Sequence, residues 1–188
     1  MVELIYSPYP AELEGSGTAV SEMLPIVEPN GMVVARASRE HCHNSPAKPL
    51  HPVIHLYLVD RYSKWYLQHR GQEVSSFPGM WDVSVGGHVG YGELFEEALY
   101  RESSEELSLY DFTPKYIDNY LYESKDQREL VNVYAAIGVF DLHPDNFEVQ
   151  EGRWWTMEEI QESLGRGIFT PVFESEYRKY RECILAML

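Results

Sequence analysis

Apolar and polar positions alternate along most of this chain, in short runs broken by proline and glycine. Residues 23–39, MLPIVEPNGMVVARASR, form two apolar runs around Pro29-Asn30-Gly31, which predicts a hairpin. Residues 51–70 predict a strand, a turn near 62–64 and a second strand, and HCHNSPAKPL (41–50) before them reads as a loop. A long glycine-bearing loop follows, with a short strand over 81–85, and then a helix over 93–107. Residues 116–122 and 130–140 alternate as two more strands joined by a loop at 123–129. Residues 153–156 read as a short strand, 157–164 as a short helix, and 174–187 as a longer helix with Tyr177, Tyr180, Ile184 and Leu188 at helical spacing. Residues 1–22, punctuated by Pro8, Pro10, Gly15 and Gly17, read as an N-terminal arm, leaving 23–188 as one domain. Strands alternating with helices give the α/β class: a mixed β-sheet with helices on its faces.

The helix at 93–107 carries an anomaly. Leu94, Phe95, Ala98 and Leu99 form one apolar stripe, spanning an arc of roughly 140° at about 100° per residue. Glu102, Glu105 and Glu106 fall within the same arc. A solvated acidic face would lie on the opposite side, so these acids are expected to face inward at the helix end.

Composition narrows the chemistry. The 188 residues hold 30 acidic and 15 basic side chains, a formal charge of −15, and show no basic stripe. A nucleic-acid polymer is therefore excluded as a partner. A small anionic substrate is compatible only if cations bridge it to the acids. Two cysteines make no disulfide framework and fit a reducing cytosol, the expected location. The first residues lack the basic start and apolar run of a signal peptide, and no apolar run approaches the roughly 18 residues of a membrane span. Self-association as a homodimer is left open.

Carboxylates at i, i+3 and i+4 lie on one side of a helix end, repel one another and raise each other's pKa. Hard cations such as Mg²⁺ or Mn²⁺ relieve that repulsion with oxygen ligands while also taking phosphate oxygens. The cluster therefore suits hydrolysis of a phosphoanhydride. Gly86 and Gly87 leave the backbone just upstream free to approach a ligand or to offer a carbonyl.

At these residues the chain resembles the Nudix box, G-x5-E-x7-R-E-U-x-E-E-x-G-U with U apolar. The matching residues are Gly87, Glu93, Arg101, Glu102, Ser103, Glu105, Glu106, Ser108 and Leu109. Every charged position agrees. Ser103 replaces an apolar residue and Ser108 the glycine that usually ends the helix, which loosens the helix end without removing a functional group. The resemblance implies the Nudix fold, a mixed sheet between helices (α/β/α), and Mg²⁺- or Mn²⁺-dependent cleavage of a small-molecule diphosphate linked to some moiety X. It makes Glu102, Glu105 and Glu106 the metal-binding acids, helped by the Gly86 carbonyl, with Glu105 nearest the reaction. Arg101 would hold the glutamates by ion pairing, and Glu93 and Gly87 would support. Glu129 is the candidate fourth acid; Glu148 and Glu151 read as surface acids. Selectivity for X is expected in segments 41–50, 71–81 and 123–129.

Beyond the box, residues 24–165 are similar to the Nudix branch that includes isopentenyl diphosphate isomerase. In that isomerase, histidines matching His51 and His88, with His43 as a further candidate, bind a metal together with an acid matching Glu129. Its essential cysteine, however, matches Gly86 here, which disfavours the isomerase reaction. His51 and His55 also read as hydrogen-bonded sheet residues, and His41-Cys42-His43 lacks the second paired motif of a zinc site. Two alternatives to the hydrolase follow: an isomerase-like enzyme, and a non-catalytic nucleotide-sugar sensor, the latter disfavoured because every acid is kept.

Overall fold

The structure is a computed structural model that describes residues 1–12, 22–74, 76–125, 127–144 and 149–188. Its backbone gathers into two compact units, Met1–Ile54 with Gly87–Leu99 and Asp118–Val133, and His55–Gly86 with Tyr100–Ile117 and Tyr134–Leu188.

The first unit holds a three-stranded sheet in the order β1-β3-β2. The expected hairpin is there: β2 (Met23–Val27) runs antiparallel to β3 (Met32–Ser38). Gly31 supplies the turn at φ +86°, and a Cβ there would meet the Glu3 carbonyl oxygen at 2.2 Å. Of the segment expected as an arm, β1 (Ile5–Glu12) pairs parallel with β3. The Tyr6 hydroxyl donates to the Glu93 carbonyl (3.1 Å), accepts from the Gly92 amide (2.9 Å), and so ties this strand to the loop before the next long helix. The loop expected at 41–50 is partly helical. Ser38 caps α1 (Arg39–Asn44) by accepting from the His41 amide, and Cys42 turns its thiol into a core of Leu24, Ile26, Ala35 and Ala37.

The larger sheet has seven strands, with β4 (His51–Val59), β5 (Trp65–Arg70), β8 (Lys115–Glu123), β9 (Arg128–Ile137) and β10 (Val149–Trp155) in the order β10-β5-β4-β9-β8. Two short strands, β6 (Trp81–Asp82) and β7 (Val85–His88), pair with β5 and β4. The single short strand expected at 81–85 is thus two, because Ser84 turns its hydroxyl inward to the Tyr66 carbonyl and the Leu58 amide and interrupts the run. Strand β9 stops at Ile137 and not at 140, the following Gly138 amide bonding back to Val59.

The second unit closes around aromatic rings. Tyr57, Trp65, Phe169, Phe173 and Tyr177 are all buried, each contributing on the order of 2–3 kcal/mol by leaving water. Helix α3 (Met157–Ser163) starts on a Thr156–Glu159 capping box. Helix α4 (Pro171–Leu185) starts three residues earlier than periodicity alone suggests, since Thr170 caps it and Pro171 fits the first turn. On α4, the buried Glu176 accepts from His55 Nδ1 (2.8 Å) and from the Tyr57 hydroxyl. His55 is therefore a hydrogen-bonded sheet residue, as expected.

Helix α2 (Phe95–Leu107) begins two residues later than expected. Gly92 sits at φ +91° and the Glu93 amide closes a turn on the Gly90 carbonyl, so the helix enters only after Glu93. Phe95, Ala98 and Leu99 are buried as their spacing predicts, but Leu94 lies in the first, unwound turn and is 52% exposed, which corrects its place in the apolar stripe.

Candidate active site

The last two turns of α2 carry the acids. Glu106 is buried, 7% exposed, and the Glu102 side chain is 12% exposed. Glu105 is not inward-facing as the wheel suggested: its side chain is 59% exposed. The apolar arc narrows toward the helix end, and position 105 lies at its solvent edge. Arg101 Nη1 bridges two of the three, donating to Glu102 Oε1 at 2.8 Å and to Glu105 Oε2 at 3.1 Å. One guanidinium thus holds two carboxylates a turn apart.

Glu106 is fixed from another direction. Gln68 Nε2, on β5, donates to Glu106 Oε2 at 2.6 Å and to the Ser84 carbonyl at 2.5 Å. Gln68 was not singled out by sequence reasoning. The available signal was a lone amide ending the buried run Trp65-Tyr66-Leu67.

The two departures from the box are visible in the backbone and core. Ser108 takes φ +52°, the left-handed conformation that favours glycine, with its amide on the Ser104 carbonyl and the Leu109 amide on the Ser103 carbonyl. Ser103 is fully buried and its hydroxyl has no hydrogen-bond partner.

In the first unit, His43, His51 and His88 bring one ring nitrogen each to within 4.8 Å of one another. His43 Nε2 and His88 Nε2 are 2.9 Å apart. His51 Nδ1 faces the Pro49 carbonyl at 2.9 Å, which leaves the lone pair on a buried Nε2 that has no partner. Burial pushes the His51 imidazole down to about 4, and burial assisted by the Arg39 charge also lowers His43. Both rings are thus held neutral, as ligands must be.

The remaining candidates are placed as follows. Gly86 and Gly87 lie in β7, not in a loop, beside His88 in sequence. Glu93 turns its carboxylate back to the Gly90 amide (2.8 Å) and so supports the loop before α2. Glu129 is buried on β9 in the same unit as the histidines, but among the described residues the close group of ligand atoms holds the three rings alone. Glu151 is exposed on β10, and Glu148 lies outside the described residues. His41 and Cys42 stand in α1, where desolvation pushes the buried thiol up to about 12, and among the described residues neither joins the group of ring nitrogens.

Both donor sets fit divalent cations. The acids offer only carboxylate oxygens, one of them buried and oriented, which suits a hard ion; the orphaned Nε2 of His51 beside two further imidazoles suits a borderline one.

A NUDIX domain model matches residues 49–173. The chain belongs to the Nudix family. The Escherichia coli protein YfcD, described as an uncharacterized Nudix hydrolase, is 30% identical over 150 residues, covering 79% of this chain and 81% of YfcD. Isopentenyl-diphosphate Delta-isomerase of Brevibacterium linens is 28% identical over 149 residues, 76% of this chain and 81% of the isomerase. The Nudix fold is matched by a crystal structure from Deinococcus radiodurans at TM-score 0.72 and 24% identity, covering 84% of this chain and 98% of that one. As a Nudix hydrolase the chain is an enzyme acting on phosphoanhydride bonds, and such hydrolases generally use divalent metals, usually Mg²⁺. No helix among the described residues is long and apolar enough to cross a membrane.

Proposed function

We propose that this Nudix enzyme is a Mg²⁺- or Mn²⁺-dependent pyrophosphohydrolase cleaving a small-molecule diphosphate linked to a moiety X, with residues 23–188 as its catalytic domain. The observation that supports it best is the pair of inward carboxylates, Glu102 and Glu106, held by Arg101 and Gln68 on one helix end. Bound cations in such enzymes neutralise the diphosphate and make bound water acidic enough to attack phosphorus. Glu102 and Glu106 would hold them, with the Gly86 carbonyl as a further donor. Glu105, exposed yet steered by Arg101, is the carboxylate with room to accept a proton from the attacking water. Arg101 keeps the acids apart and oriented without itself exchanging protons.

The isomerase reading is disfavoured by Gly86, which has no thiol to deliver a proton. The histidine triad is better read as a second cation position shared with the isomerase-like branch and put to use in hydrolysis. A panel of diphosphates screened for phosphate release with Mg²⁺, and again in excess chelator, tests the proposal. Release that needs the cation is expected and would identify X. Turnover unaffected by chelator would overturn the metal-hydrolase reading, and proton exchange into isopentenyl diphosphate in heavy water would favour the isomerase.

A further inference from the structure

Gln68 and Glu106 are both buried, at 8% and 7% exposure, and their contact joins a strand to the acidic helix end. Only the nitrogen of the Gln68 amide fits between its neighbours. It faces two acceptors, Glu106 Oε2 at 2.6 Å and the Ser84 carbonyl at 2.5 Å, and reversing the amide would set its oxygen against both. Ser84 is fixed in turn, because its hydroxyl donates to the Tyr66 carbonyl at 2.5 Å and accepts from the Leu58 amide at 2.8 Å. A continuous line of hydrogen bonds therefore runs from two neighbouring strands, through Ser84 and Gln68, to one oxygen of Glu106.

We infer that Gln68 is a positioning residue that presets the Glu106 carboxylate for a divalent cation. The inference rests on reading Glu106 as a cation ligand, and it adds a residue outside the Nudix box to the machinery. The amide fixes one oxygen of the Glu106 carboxylate before the cation arrives and, being neutral, does not compete for the site as a lysine would.

The test uses Mn²⁺ alone as probe, its binding to the full chain followed by electron paramagnetic resonance and calorimetry, so no substrate is needed. Gln68→Leu, Glu106→Gln and the doubly changed protein complete a cycle with the unchanged chain. Cation positions elsewhere contribute equally to all four proteins and cancel. Gln68→Leu should weaken Mn²⁺ binding about 10- to 100-fold. In the Glu106→Gln background the same change should have no further effect. If Glu106→Gln weakens Mn²⁺ binding but Gln68→Leu does not, or if the two losses simply add, the positioning role is wrong while the reading of Glu106 stands. If Glu106→Gln leaves Mn²⁺ binding and phosphate release unchanged, the reading of Glu106 itself falls. Should Gln68→Leu fail to fold, Gln68→Asn keeps the amide on a shorter arm and enters the same cycle. It should still unfold in one cooperative thermal transition while its Mn²⁺ binding is weakened, and unweakened binding would overturn the role.

Discussion

The Nε2 atoms of His43 and His88 stand 2.9 Å apart, with a ring nitrogen of the buried His51 in the same group. A hydrogen bond between the two rings accounts for that distance, and a cation drawing both lone pairs would take its place. If the three rings are a cation position, the chain should bind a borderline ion such as Co²⁺ there and show its visible absorption bands. Changing both His51 and His88 to alanine should abolish those bands and lower the metal stoichiometry in calorimetry. Equal stoichiometry and affinity in the double variant would make the three rings structural.

The same buried ring predicts how stability follows pH in metal-free buffer. His51 is held to about 4 in the folded chain by desolvation, against about 6.5 when unfolded. Between those values only the unfolded chain takes up the proton. Stability due to this group is therefore complete above about pH 6.5 and falls as the pH drops toward 4, by about 1.4 kcal/mol per unit. Urea unfolding of the unchanged chain and of His51→Gln across this window should diverge with that sign. Parallel curves would contradict the neutral, buried imidazole.

Glu105→Gln separates a catalytic role from a structural one. The Glu105 carboxylate meets Arg101 at 3.1 Å but is 59% exposed, a pair worth no more than about 1 kcal/mol. The melting temperature should hardly move, while turnover on the diphosphate found by screening should fall on the order of 10²-fold or more. Normal turnover would remove Glu105 from the reaction.

Two serines mark places where stability can be raised without touching the acids. Ser103 buries a hydroxyl with no partner inside α2, so Ser103→Ala should stabilise by about 1 kcal/mol. Ser108 occupies φ +52°, and Ser108→Gly should add about 0.5–1 kcal/mol. Chemical denaturation of each, with unchanged turnover as the control, reads both effects.

Much of the fold and of the candidate site is legible in the amino-acid sequence, for physical reasons that differ from one residue to the next. Glu102 and Glu106 stand out because carboxylates on an apolar arc contradict simple burial, Arg101 because it fills its place in the box, and the strands because their alternation is strong. Glu105 was misplaced because a helical wheel assigns an angle but not where neighbouring elements end. Leu94 was misplaced because the glycine at 92 delays the helix start, an effect of backbone conformation that periodicity does not carry. Helix α1 was hidden in a polar stretch whose main cue was one capping serine, Ser38. Gln68 was invisible because its significance is a partner 38 positions away.

Arg101, shared between Glu102 and Glu105, gives the helix end a resident counter-ion. With two of the three carboxylates already paired to one guanidinium, the cluster carries less net charge than its three glutamates alone would give it. The proposed cation would therefore meet a weaker attraction than three bare carboxylates would exert.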